Sequence, residues 1–135
     1  MHFAERWLLL KLTKTTDKKC RKLPSSWSGY VRRGDVVELR LPKGVGSEQR
    51  GRRFGVIVQS DALLPRSVVL VAPTSTAARE ATVRPIIEIL GDRTKVLVEQ
   101  ISALDVSRLG ERIMTLQGDA MWAIDDALEL VLGLN

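Results

Sequence analysis

Between Asp35 and Ile101 the chain is written in short apolar runs, each cut off by Gly, Pro, Ser or Asp before it can become a helix. "DVVELRL" (Asp35–Leu41), "FGVIVQS" (Phe54–Ser60), "SVVLVAP" (Ser67–Pro73), "TVRPIIEIL" (Thr82–Leu90) and "TKVLVEQI" (Thr94–Ile101) are rich in β-branched residues, which fit a pleated strand. Gly91-Asp92-Arg93 reads as the turn of a hairpin, Glu111–Leu116 as a shorter strand, and Pro42–Arg52 and Thr74–Glu80 as loops. Sustained helical periodicity comes in the tail. Ala120, Ile124, Ala127, Leu128 and Val131 share one helical face, with Asp119 placed as N-cap and Gly133 as the stop. The expected fold class is mainly β with a C-terminal α-helix: five or six short antiparallel strands, strongly curved into a partial barrel, with the helix packed on it.

A chain of 135 residues suits one domain with a real core. The formal charge of +5 resides wholly in residues 1–30, and residues 31–135 are formally neutral. Nucleic acid would therefore be met by a local patch and not by overall charge. Residues 1–30 also hold the single His and the single Cys and show no durable pattern. Three readings fit them: a poorly ordered basic arm, a stretch upstream of a native start near Val31, or an arm that helps hold RNA. Residues 31–135 form the expected domain. A lone Cys20 makes no internal disulfide, no apolar run reaches a membrane span, and the expected compartment is a reducing cytoplasm.

Residues 31–135 contain neither His nor Cys. An imidazole base, a thiolate nucleophile and a Cys/His zinc site are thereby excluded from that domain. No phosphate-binding glycine fingerprint is present either. Chemistry must come from Arg, Thr, Ser, Asp, Glu or backbone amides.

The loop "GSEQRGRR" (Gly46–Arg53) crowds Arg50, Arg52 and Arg53 at the start of an apolar strand. If Phe54–Ser60 and Ser67–Pro73 form a hairpin, Ser60 faces Ser67, Val58 faces Val69 and Val56 faces Val71. Arg53 then faces Thr74 on one side of the sheet. A guanidinium, a hydroxyl and loop amides converge there, which suits a phosphate. The plain alternative is a solvated strand end and an ordinary turn.

"RRGDVVELRL", "GSEQRGRRFGVIVQSD", "VVLVAPTSTA", "VLVEQISALDVSRLGERI" and a closing helix ending "LVLGL" together resemble the MazF/PemK family, toxins of bacterial toxin–antitoxin pairs. The resemblance covers Arg32 to Leu134 and leaves residues 1–30 without a counterpart. It implies an SH3-like partial barrel of the CcdB/MazF type, usually a homodimer. It also implies a metal-independent, cofactor-free endoribonuclease that cuts single-stranded mRNA at a short sequence. Such an enzyme uses the 2′-hydroxyl as nucleophile and leaves a 2′,3′-cyclic phosphate and a 5′-hydroxyl. The family's catalytic arginine corresponds to Arg53 and its threonine to Thr74.

One departure stands out: the family arginine is normally followed by proline, and here by Phe54. Losing that stiff residue bears on rate and on which bases fit. Glu48 is a candidate base or substrate contact. Ser47, Gln49, Arg50 and Arg52 are candidate RNA contacts, with Gln100 and Ser102 at a base or a dimer seam. Trp122 is assigned to core or dimer packing. The implied partner is an acidic, MazE-like antitoxin. Two other functions suit this fold: a CcdB-like inhibitor of DNA gyrase, and a catalytically weak SH3-like binding module.

Overall fold

A computed structural model describes residues 31–41, 51–64 and 66–134. Among them seven strands precede one helix: β1 (Asp35–Leu41), β2 (Gly51–Ile57), β3 (Val68–Ser75), β4 (Ile86–Ile89), β5 (Asp92–Val96), β6 (Ser102–Asp105), β7 (Leu109–Thr115) and α1 (Asp119–Leu132). Single 3₁₀ turns stand at Asp61–Leu63, Val98–Gln100 and Val106–Arg108. All strand pairs are antiparallel. β1 lies between β2 and β7, and β4 pairs only with β5 among the described residues. The β1–β7 ladder shifts register twice, between Val36 and Val37 and between Val37 and Leu39. Such bulges bend a strand and raise its twist, and here they help curl the sheet into a half-barrel.

The sheet is apolar on both faces. One cluster gathers Val37, Leu39, Ile57, Val69, Val71, Leu104 and Leu109. The other gathers Val36, Val56, Ala72, Ile89 and Val96 with Ile124 and Ala127 of α1. Strands buried on both sides read as continuous apolar runs rather than as alternation. Gly55 shows how closely the first cluster packs. A Cβ there would overlap the side chain of Leu39 and lie 2.7 Å from Val71 Cγ1.

Several expected boundaries move. The β2–β3 register differs by one residue from the hairpin expected: Gly55 pairs with Pro73, Val56 with Ala72 and Ile57 with Val71. Alternation normally pins register by punishing a slip with exposure, and two buried faces remove that penalty. The Asp61–Leu63 turn and Gln59, whose side chain receives the Leu70 N–H and donates to the Leu63 carbonyl, decide the register instead. β2 begins at Gly51, so Arg52 is strand and not loop, and β3 runs on through Thr74 and Ser75. The β4–β5 turn is Leu90–Gly91, with φ of 52° and 87°, and Asp92 and Arg93 already belong to β5. Two positive φ values make a type I′ turn, which a leucine does not advertise. Thr82–Pro85 lies outside any strand, Val98–Gln100 is a 3₁₀ turn, and β6 is an additional strand. Gly118 is the N-cap of α1, and Asp119 opens its first turn, where a carboxylate complements the helix dipole.

The segment Arg33-Gly34-Asp35 ties these pieces together. Gly34 has φ 93°, and a Cβ on it would come within 2.8 Å of the Leu116 carbonyl oxygen. Its N–H donates to the Ile57 carbonyl, and its own carbonyl accepts from the Leu116 N–H, both at 2.8 Å. Arg33 donates its N–H to Asp61 Oδ1, its Nε–H to the Val58 carbonyl and an Nη2 hydrogen to Asp125 of α1. Asp35 is fully buried. It accepts from the Arg32 N–H and from Thr115 Oγ1, each at 2.8 Å, with the Arg112 guanidinium 3.7 Å away. Asp35→Ala strands these donors and removes the acceptor that joins β1 to β7. The expected cost is about 3 kcal/mol, seen as a thermal midpoint lowered by roughly 10 °C or more in a circular-dichroism melt.

Candidate active site

β3 changes partners along its length. Val68–Val71 pair with β6, Val71–Pro73 with β2, and Thr74–Ser75 with β5. Pro73 has no N–H to give a ladder, and its carbonyl accepts instead from the Leu97 N–H at 2.8 Å. Past Pro73 the sheet opens, and a cavity of about 310 Å³ lies there. Arg53 and Phe54 of β2 and Thr74 and Ser75 of β3 border it. Glu38 of β1 closes another side, and Ile89, Asp92 and Thr94 of the β4–β5 hairpin face it with Thr76.

The observed register puts Thr74 one step from its expected position opposite Arg53. Thr74 stands level with Phe54, and its hydroxyl donates to the Phe54 carbonyl at 2.9 Å. Arg53, half-buried, pairs with Leu39 across the β1–β2 ladder. The expected convergence therefore happens through a shared cavity wall and not through a facing pair. Thr74 is 2% exposed and Ser75 is equally enclosed. Ser75 Oγ accepts from the N–H groups of Ala77 and Ala78, and Lys95 Nζ donates to the Thr76 carbonyl, so the segment after β3 is held against the cavity. Buried Thr94 donates its hydroxyl to the Asp92 carbonyl at 3.1 Å.

Other expected contacts sit elsewhere. Gln100 lies in a 3₁₀ turn and Ser102 opens β6 opposite Val71, and neither borders the cavity. Ser47, Glu48, Gln49 and Arg50 lie outside the described residues, as do residues 1–30. Trp122 is 70% exposed, which removes it from the core of the single chain. Glu38, Asp92 and Thr94 were not foreseen as site residues. The available signal was Glu38 itself, a carboxylate at the same parity as Val36 in a strand where Asp35, Val36, Val37 and Leu39 are buried.

The model of the PemK-like, MazF-like toxins of type II toxin–antitoxin systems matches residues 32–132. The chain belongs to the PemK/MazF toxin family. That family is one of endoribonucleases. Endoribonuclease MazF of Staphylococcus epidermidis is 38% identical over 112 residues, spanning 78% of this toxin and 93% of that protein. A toxin candidate of Mycobacterium tuberculosis is 41% identical over 90 residues, 66% of this chain and 84% of that one. Among solved structures, MazF of Deinococcus radiodurans superposes with a TM-score of 0.68 at 24% identity, covering 78% of this chain and 99% of that one. The fold of the toxin is thus the CcdB/MazF fold.

The Thr74 hydroxyl has a structural duty that can be measured apart from any activity. Thr74→Val keeps the shape and removes the donor to the Phe54 carbonyl, and a loss of about 1 kcal/mol in urea unfolding is expected. Thr74→Ser, which keeps the donor, is expected to lose less than half of that.

Proposed function

We propose that this toxin cuts single-stranded mRNA at a short sequence by internal transesterification, without a metal ion. The observation that carries the reading is the meeting of Arg53 and Thr74, from two strands, on one cavity. The domain around them has neither His nor Cys to offer a rival centre. The similarity to an enzyme named endoribonuclease supports it further.

In this mechanism the substrate's 2′-oxygen attacks the adjacent phosphorus and the bond to the 5′-oxygen breaks. The products are a 2′,3′-cyclic phosphate and a 5′-hydroxyl. Negative charge grows on the non-bridging oxygens, and the Arg53 guanidinium stabilises it with a charge-assisted, planar fork. Arg53 stays charged throughout, because a guanidinium does not give up its proton at neutral pH. The leaving oxygen takes its proton from water. Thr74 holds the backbone at Phe54, and its hydroxyl exchanges that carbonyl for the phosphoryl group when RNA is bound. Glu48 is the candidate acceptor of the 2′-proton, and Ser47, Gln49, Arg50 and Arg52 are candidate contacts to the RNA strand.

The toxin acts in a bacterial cytoplasm, where its substrate is made, and as a homodimer. Exposed Trp122, Leu130 and Leu132 on α1 supply apolar surface for a second copy. An acidic antitoxin restrains it. One solved structure of this fold is an endoribonuclease in complex with its cognate antitoxin.

Arg53→Ala is expected to lower cleavage of a mixed RNA pool by about 10²–10³-fold with an unchanged circular-dichroism spectrum. A 2′-deoxy residue at the scissile position is expected to abolish cleavage. Continued cutting of that substrate overturns the mechanism.

A further inference from the structure

Away from Arg53 and Thr74, the rest of the cavity has a composition that a second phosphate would not choose. Glu38 and Asp92 both border it, and two carboxylates against one guanidinium repel a polyanion's backbone. Two of the lining hydroxyls, those of Thr74 and Thr94, give their hydrogens to the carbonyls of Phe54 and Asp92 in the free protein. What these two oxygens still present is lone pairs. The lining is therefore rich in acceptors, with the half-buried Phe54 and the buried Ile89 as apolar walls. Phe54 packs partly against the second core cluster, so its ring is a fixed surface.

A flat group with N–H donors on its edge and apolar faces fits such a lining, and in a single strand of RNA that group is a nucleobase. A carboxylate accepts from the amino group of cytosine, adenine or guanine. Uracil has no amino group, and its single N3–H donor is flanked by two carbonyl oxygens that would face acceptors. We infer that this cavity holds the base next to the cut phosphate, and that Glu38 and Asp92 select an amino-bearing base over uracil. This inference rests on the reading of the toxin as a ribonuclease and adds what the site recognises.

The test is a randomised single-stranded RNA pool cut by wild type, Glu38→Gln and Asp92→Asn, with product ends sequenced and folding checked by thermal melts. Wild type is expected to disfavour uracil by about tenfold or more at one position flanking the cut. Glu38→Gln keeps the size but replaces an acceptor oxygen with a donor amide. It is expected to erase most of that discrimination while the rest of the recognised sequence stays the same. Asp92→Asn, at the exposed first residue of β5, provides the same readout if Glu38→Gln does not fold. Equal use of uracil by wild type at both flanking positions overturns the inference. So does a uniform fall in rate on all sequences, with no shift in base preference, in the folded variants. In either case Arg53-dependent cutting leaves the ribonuclease reading standing. Wild type that cuts no RNA overturns both.

Discussion

Gly34 and Asp35 form the joint on which the rest of this domain hangs. A positive φ at Gly34 lets the chain turn into β1 while its backbone bonds both to the end of β2 and to the residue after β7. Asp35 then uses both carboxylate oxygens, one on the Arg32 N–H and the other on Thr115. A buried charge is tolerated only when it is answered in this way. Arg33 extends the same joint to the β2–β3 connection and to α1. One short segment thus sets the relative positions of the central sheet, its outer strand and the helix.

The site is a consequence of how that sheet is filled. β1 and β2, with the middle of β3, have apolar side chains on both faces, which leaves no exposed face for a groove. The cavity opens where the β2–β3 ladder ends, at the place where β3 passes from β2 to β5. The residues that border the cavity come from the middle of β1 and β2, from the end of β3 and from the β4–β5 hairpin.

Much of this was legible in the residues. The β-branched runs, the amphipathic tail and the Gly133 stop describe the strands and helix well, because each depends on local pattern. The cavity-bordering roles of Arg53 and Thr74 were legible too, though by a hairpin register one residue out. That slip has a physical origin, since Val56, Ile57, Val71 and Ala72 are all buried and no polar residue marks an outward face. The Leu90–Gly91 turn was hidden because leucine seldom takes a positive φ. Glu38 and Asp92 were missed because they stand on β1 and β5, three places apart in the strand order, and only the assembled sheet brings them to one cavity.

Phe54, at the place where the sequence resemblance leads one to expect a proline, acquires a new meaning from the Thr74 bond. A proline ring stiffens its strand through covalent bonds, and that rigidity persists at any temperature. Here the same stretch is braced by a hydrogen bond to the Phe54 carbonyl, by the ladder to Glu38 and by ring packing on the second cluster. Bracing of this kind is reversible and weakens as the sheet loosens. The order of the cavity end is therefore coupled to the cohesion of the whole domain, and warming would blur the geometry around Arg53 before the fold itself gives way.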